Sequence, residues 1–280
     1  MSLATRFARN STSYRQNTPL DNEQLFRIAP SIFAAEPHES RSTKYTYIPT
    51  IEVLDGLREE GFQPFMVAQS RSRIEGKSEY TKHMLRLRHA NDIASSEANE
   101  IVLINSHDGT SSYQMLAGVF RFVCQNGMVC GDTVEDIRVP HRGNITDNVI
   151  EAAYSIVDEF EAVNNSIEGM KSTQLLLPEA EAFAEAALSL KFDASEESPI
   201  QSSQLLMARR WDDRNGDNKN SIWGTFNRVQ ENIIKGGLRG RTATGTRTST
   251  RAVQSIDNDV KLNKALWILA DRMAQIKQGA

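Results

Sequence analysis

The amino-acid sequence predicts an α+β protein: a small antiparallel sheet with a packed helix, followed by a mainly helical C-terminal half. Three observations carry this expectation. Apolar residues recur with a period of two between Phe65 and about Gly143, the period turns helical beyond His141, and Asn126-Gly127 sits inside an apolar run as a hairpin signal. At 280 residues the chain can bury one large core or two ordinary ones, and 39% hydrophobic with 24% charged residues marks it as folded rather than disordered. Three regions follow: an N-terminal arm over 1–44, a sheet domain over 45–144, and a helical region over 145–280 that contains a basic loop at 235–251.

The arm is polar and punctuated by Pro19, Pro30 and Pro37, with apolar patches at Leu25-Phe26 and Ile32-Phe33 that suit a short helix or two. Pro49 suits a first helical turn, and Ile51, Leu54 and Leu57 then recur until Gly61 stops the pattern. Beyond it, Lys82, Met84, Arg86 and Arg88 alternate with His83, Leu85, Leu87 and His89, so one strand face reads as basic. Ile101 to Ile104 is a short strand, Ser106 to Gly109 a turn, and Tyr113 to Cys124 a longer apolar strand. A two-residue turn at Asn126-Gly127 would set Cys124 opposite Val129 and Val123 opposite Cys130, which disfavours a disulfide between the two cysteines.

Four apolar stripes fill the C-terminal half. Val149, Ala153, Val157, Phe160 and Val163 form one, and Phe183, Ala187 and Leu190 a second. Ile222, Phe226, Val229 and Ile233 form a third, stopped by Gly236-Gly237, and Leu262, Leu266, Leu269, Met273 and Ile276 run along the last helix. The stretches from Asp193 to Ser203 and from Gly236 to Thr250 lack periodicity and read as loops. Trp211, Trp223 and Trp267 lie at or beside the stripes as core anchors.

Charge is segregated, although the net value is only −4. Arg71, Arg73, Lys82, Arg86 and Arg88 cluster before the central strands, and Lys235, Arg239, Arg241, Arg247 and Arg251 stand together without an acid. Between them Glu151, Asp158, Glu159, Glu161, Glu168, Glu179, Glu181 and Glu185 face only Lys171. Both basic segments could track a phosphate backbone, with Tyr80 or His89 stacking on bases, while a solvated sheet face is the plainer reading of the first. The second has glycines and threonines that suit an anion clamp.

His107, Asp108 and His141 could form an acid-base site, because imidazole titrates near neutral pH; Asp108-Gly109 reads equally as a turn. Arg121, in an apolar strand, requires an acid or carbonyl partner, or else contacts a ligand. Two cysteines are too few for a disulfide framework or a four-ligand zinc site, and no phosphate-binding loop, dinucleotide fingerprint or nucleophile elbow occurs. Neither metal nor cofactor is expected. No apolar run is long enough to span a bilayer, and the N-terminus lacks a secretory core, so a cytoplasmic protein without a membrane partner is expected.

Asn105-Ser106-His107-Asp108-Gly109, the Arg121 to Gly127 run, His141 before Gly143-Asn144, and Trp223 to Lys235 followed by two glycines resemble the family catalogued as domain of unknown function 932. The resemblance runs from Ser40-Arg41 through Leu262. It implies a plasmid-, phage- or prophage-type protein of enterobacterial kind, and it implies no activity. The order of elements, a helix ending in Gly61-Phe62 and then meandering strands and helices, is similar to the annealing core of the Rad52-like single-strand annealing proteins. The combined expectation is a non-enzymatic accessory protein of a mobile element that binds single-stranded DNA, promoting annealing as a homo-oligomer. Two alternatives stand beside it: a factor that binds a host protein, and an enzyme using His107, Asp108 and His141.

Overall fold

The computed structural model describes residues 11–40, 47–72, 74, 76–89, 97–121, 126–130, 137–138, 145–192, 198–210, 214–216 and 218–279. The chain divides into two compact units. The first comprises Met1–Val129, Val134–Phe160 and Gln254–Ile256, and the second Cys130–Thr133, Glu161–Val253 and Asp257–Ala280.

The first unit is built on an antiparallel sheet ordered β1 (Ser11–Arg15), β2 (Phe62–Ser70), β3 (His83–His89), β4 (Glu97–Asn105), β5 (Gln114–Arg121) and β6 (Asn126–Val129), with β7 (Ile137–Arg138) also pairing with β5. The mixed α+β class is therefore as expected, with more strands than the meander read from the sequence. The arm contributes directly: β1 pairs with β2 from Ser11↔Ser70 to Arg15↔Met66, and α1 (Asn22–Ile28) is closed by an Asp21–Gln24 capping box. Its edge pairing was invisible because β1 has no apolar alternation. Helix α2 (Thr50–Glu59) buries Val53, Leu54 and Leu57, with Pro49 at its N-cap, and packs on β2 and on α3 (Ile145–Asp158); α3 also packs on β4 and β5. The sheet curls, since the Arg15 guanidinium at one edge lies 4.6 Å over the Phe120 ring of β5, four strands away in sheet order.

The hairpin signal at Asn126-Gly127 is corrected. Val119 pairs with Met128, Phe120 with Gly127 and Arg121 with Asn126, so the Asn-Gly pair lies within β6. Gly127 serves close approach rather than the turn: a Cβ there would sit 2.3 Å from a guanidinium nitrogen of Arg86. Cys124 falls outside the described residues, and Cys130 is buried.

In the second unit α4 (Phe160–Ser172) and α5 (Leu177–Lys191) precede α6 (Ile222–Lys235), the β8 (Arg239–Arg241) and β9 (Arg247–Ser249) hairpin, and α7 (Ile256–Gly279). The stripe from Val149 to Val163 thus breaks at Glu159 into two helices, and Leu190 is 47% exposed. Helix α6 starts at Ser221, whose hydroxyl accepts from Gly224 N, and buries all four expected apolar residues. Trp223, Phe226 and Trp267 form an aromatic cluster with centroids 5.5 to 6.3 Å apart. The buried line of α7 is Leu262, Asn263, Leu266, Trp267, Ala270 and Ala274, and Ile276 is 71% exposed. Trp267 shifts the face: burying the indole rotates Leu269 and Met273 to the flank. Among the described residues no helix is long and apolar enough to cross a membrane.

Candidate functional site

Asp108 and His107 do not form an acid-base pair. Asp108 Oδ1 accepts from the Thr110 amide (3.0 Å) and hydroxyl (2.6 Å), and Oδ2 lies 3.3 Å from Lys77 Nζ. Burial alone would raise this carboxyl, but Thr110 and Lys77 outweigh it and hold it below its ordinary range. With Gly109 at φ 74°, this is a side-chain-closed turn. His141 lies outside the described residues.

His107 instead joins His83, which sequence reasoning placed on the apolar face of its strand without giving it a role. The two rings are 5.2 Å apart, and the Thr50 hydroxyl stands between them, 2.9 Å from His83 Nε2 and 3.5 Å from His107 Nε2. The acceptors fix the proton order. Gln69 Oε1 takes the Ser31 hydroxyl proton (2.7 Å), so Ser31 Oγ accepts from His83 Nδ1 (2.8 Å), which also points at Thr81 O. His83 Nε2 then accepts from Thr50, whose oxygen accepts from Asn105 Nδ2 (3.0 Å). The chain finishes at Gln69 Nε2, which donates to Ser78 O. Side chains from α2, the Pro30–Phe33 turn, β2, β3 and β4 are thereby locked together in the interior: Ser31, Thr50, His83 and His107 are fully buried, and Asn105 and Gln69 nearly so. The available signal was a polar residue alternating with Leu85 and Leu87.

Burial pushes His83 down to about 3, helped by His107, and His107 down to about 4 against the Ser31 backbone and Asp108. A general base at neutral pH needs a pKa near 7, so the two neutral imidazoles act here as a structural lock, His83 bonded through both nitrogens and His107 through Nε2 alone, its buried Nδ1 without a hydrogen-bond partner among the described residues. Among the described residues no group of three His, Cys, Asp or Glu side chains could hold a metal ion.

The basic face of β3 is corrected more sharply. Arg86 and Arg88 are 1% and 0% exposed, and both bond to Glu100 of β4, at 2.7 and 2.8 Å. Arg86 also donates to Met128 O, and the Arg88 guanidinium lies 4.5 Å over Phe65 and 3.9 Å over Phe120. Burial would raise Glu100, but Arg86, Arg88 and Arg15 hold it below the carboxylate range. Alternation correctly put both arginines on one face; the curl of the sheet closes that face from water. Lys82 is half-buried, Arg71 is exposed beyond β2, Arg73 is outside the described residues, and Arg121 is half-buried at the end of β5 opposite Glu97. Tyr80 packs edge-on against His38, and His89 against Phe62.

The second basic segment stays at the surface. Gly236 to Thr250, read as a loop, is a hairpin whose strands pair Arg239↔Ser249, Gly240↔Thr248 and Arg241↔Arg247. Arg239, Arg241, Arg247 and Arg251 are exposed, and none of them meets a carboxylate among the described residues. Lys235 is closer to neutralised, 2.7 Å from Glu231. Anchoring is extensive: Arg241 N donates to Pro199 O (2.9 Å), Gln204 Nε2 to Arg239 O (3.0 Å) and Gly237 N to Thr250 O (2.7 Å). Lys191 Nζ donates to Ile233 O and to Arg251 O, and burial with the Arg209 charge pulls its pKa to about 8. Gly240 is required where β8 meets residue 199, since a Cβ would lie 1.9 Å from Pro199 O. The result is an anchored base carrying four exposed guanidiniums, of which Arg241 donates to Gly245 O (2.9 Å), and a tip of threonines, Thr242, Thr244 and Thr246.

Residues 37–267 match the family described as domain of unknown function (DUF932), a range that takes in both histidines of the lock, strands β2 to β7 and the hairpin, but not β1 or Ser31. The chain belongs to this family. Two relatives from Escherichia coli strain K12, UPF0380 protein YafZ and UPF0380 protein YfjQ, are each 51% identical to it over 271 residues, covering 97% of both chains. Neither name states an activity. No solved structure matches this DUF932 chain, and the expected likeness to the Rad52-like annealing core is not shown.

Proposed function

We propose that this DUF932 protein is a non-enzymatic DNA-binding protein whose phosphate contacts come from the β8–β9 hairpin, with single-stranded DNA among its ligands. The observation that carries the reading is the set of four exposed arginines held on an anchored hairpin without a carboxylate partner among the described residues. Guanidinium forks match phosphate oxygens in geometry, and the threonine hydroxyls add neutral donors beside them. The hairpin and its flanks, residues 235–251, contain no aromatic residue, and Tyr80 and His89 are packed against other rings. Base stacking, the usual source of single-strand preference, is therefore weak, and single strands and duplexes bind with similar affinity. A role as an accessory protein of a mobile element is part of the same proposal.

Fluorescence anisotropy with a labelled single strand and the matching duplex tests this. Changing Arg239, Arg241, Arg247 and Arg251 together to Ala abolishes binding to both at about 100 mM salt. Arg86→Ala lowers stability and leaves the affinity of the folded fraction unchanged. Undiminished binding by the four-arginine variant contradicts the assignment.

A further inference from the structure

The same compact unit carries a surface of the opposite sign. On α5, Leu177, Glu181 and Glu185 follow one another at four-residue spacing, so they line one exposed stripe. Leu176 and Leu177 at its start are 67% and 68% exposed. Glu181 and Glu185 meet no cation among the described residues, whereas the neighbouring Glu179 is tied to Lys277 at 2.6 Å. The arginines of the hairpin and the carboxylates of the stripe are thus both unmatched within one chain, and they lie on separate elements of one unit.

From this complementarity we infer that the α5 stripe docks the β8–β9 hairpin of a second copy of the chain. Exposed ion pairs alone contribute little, but Leu176 and Leu177 supply apolar contact at one end of the stripe, beside the carboxylates. The two surfaces differ, so the contact is head to tail: each copy offers its hairpin to one neighbour and its stripe to another, giving rings or open chains. Nucleic acid and the stripe then compete for the same arginines, and the carboxylates stand where phosphates would. The inference shares its hairpin with the DNA reading and does not depend on it.

Sedimentation velocity of the full chain tests the contact. At about 50 mM salt the weight-average mass exceeds that of the monomer at least twofold, and at about 500 mM it falls to the monomer value as screening shortens the reach of the charges. Glu181→Lys with Glu185→Lys, and separately Arg241→Glu with Arg247→Glu, each give monomers at low salt. An equimolar mixture of the two variants regains the large species, because each reversed surface meets its complement. All four positions are exposed, and circular dichroism verifies that the variants are folded. A monomeric wild-type chain at low salt, or self-association indifferent to either reversal, overturns the inference. The glutamate variant keeps an intact hairpin and binds DNA at least as well as wild type. Absence of DNA binding in both it and wild type sinks the DNA reading while leaving the self-association result to stand by itself.

Discussion

Glu100 holds two buried guanidiniums, at 2.7 and 2.8 Å, and has no exposed surface of its own. Its removal leaves both charges in the core without their carboxylate, which in general costs about 3–5 kcal/mol. Glu100→Gln is therefore expected to destabilise the protein by that order in urea unfolding, and a loss below about 1 kcal/mol would show that the pair is dispensable. The histidine lock makes a second prediction, with a definite sign. Both imidazoles titrate at about 3 and 4 in the fold against 6.5 when unfolded, so between those values the unfolded chain binds more protons. The contribution of the two histidines is then flat above about pH 6.5 and declines as pH falls below it, by up to about 1.4 kcal/mol per pH unit for each histidine. Depressed carboxylates such as Glu100 add their own loss only below about pH 4.5. Urea midpoints at pH 7, 6 and 5 measure this slope; His83→Gln roughly halves it, and an unchanged slope would contradict the burial of His83 in the lock.

The hairpin shows what an element's sequence can and cannot disclose. Its charge was legible, because Arg239, Arg241, Arg247 and Arg251 stand in a run without acids, but its strands were not, because Arg, Thr and Gly alternate without an apolar face. What defines β8 is backbone pairing, to β9 on one side and to Pro199 on the other, and period-two hydrophobicity cannot report a strand that buries no side chains. Helix α6 is the opposite case: Ile222, Phe226, Val229 and Ile233 announce it, and Ser221 and Gly236-Gly237 bound it. The Asn126-Gly127 signal misplaced its turn because glycine answers two different needs, and here the Arg86 guanidinium claims the space that a side chain would fill. Gly240 invites a direct test. Gly240→Val drives a branched side chain into Pro199 O, a backbone atom that cannot swing aside, and is expected to cost about 1–3 kcal/mol by overpacking. Because it displaces the arginines without removing them, DNA affinity falls while charge is unchanged; retained affinity would show that hairpin geometry does not matter.

At the scale of the whole molecule the net charge of −4 conceals an arrangement in which positive groups meet two fates. In the first unit Arg86 and Arg88 are absorbed into the curled sheet with Glu100, and in the second the hairpin arginines remain at the surface. Sequence alternation told which residues share a face, but not whether that face is wet. Burial is decided by curvature, which arises from contacts between distant strands such as that of Arg15 with Phe120. The DNA-binding claim therefore rests on four arginines rather than ten basic residues, and that number has a direct physical consequence. Counterion release gives a slope of log K against log salt of about −0.7 per phosphate neutralised on a single strand and about −0.9 on a duplex. The measurement that decides is anisotropy of wild type with a labelled single strand between about 50 and 200 mM salt. Four contacts predict a slope of about −3 and a loss in affinity of about 50-fold across that range, with both vanishing in the four-arginine variant. Absence of binding at the lower salt, or a slope that the variant leaves intact, would contradict the assignment of DNA binding to this hairpin.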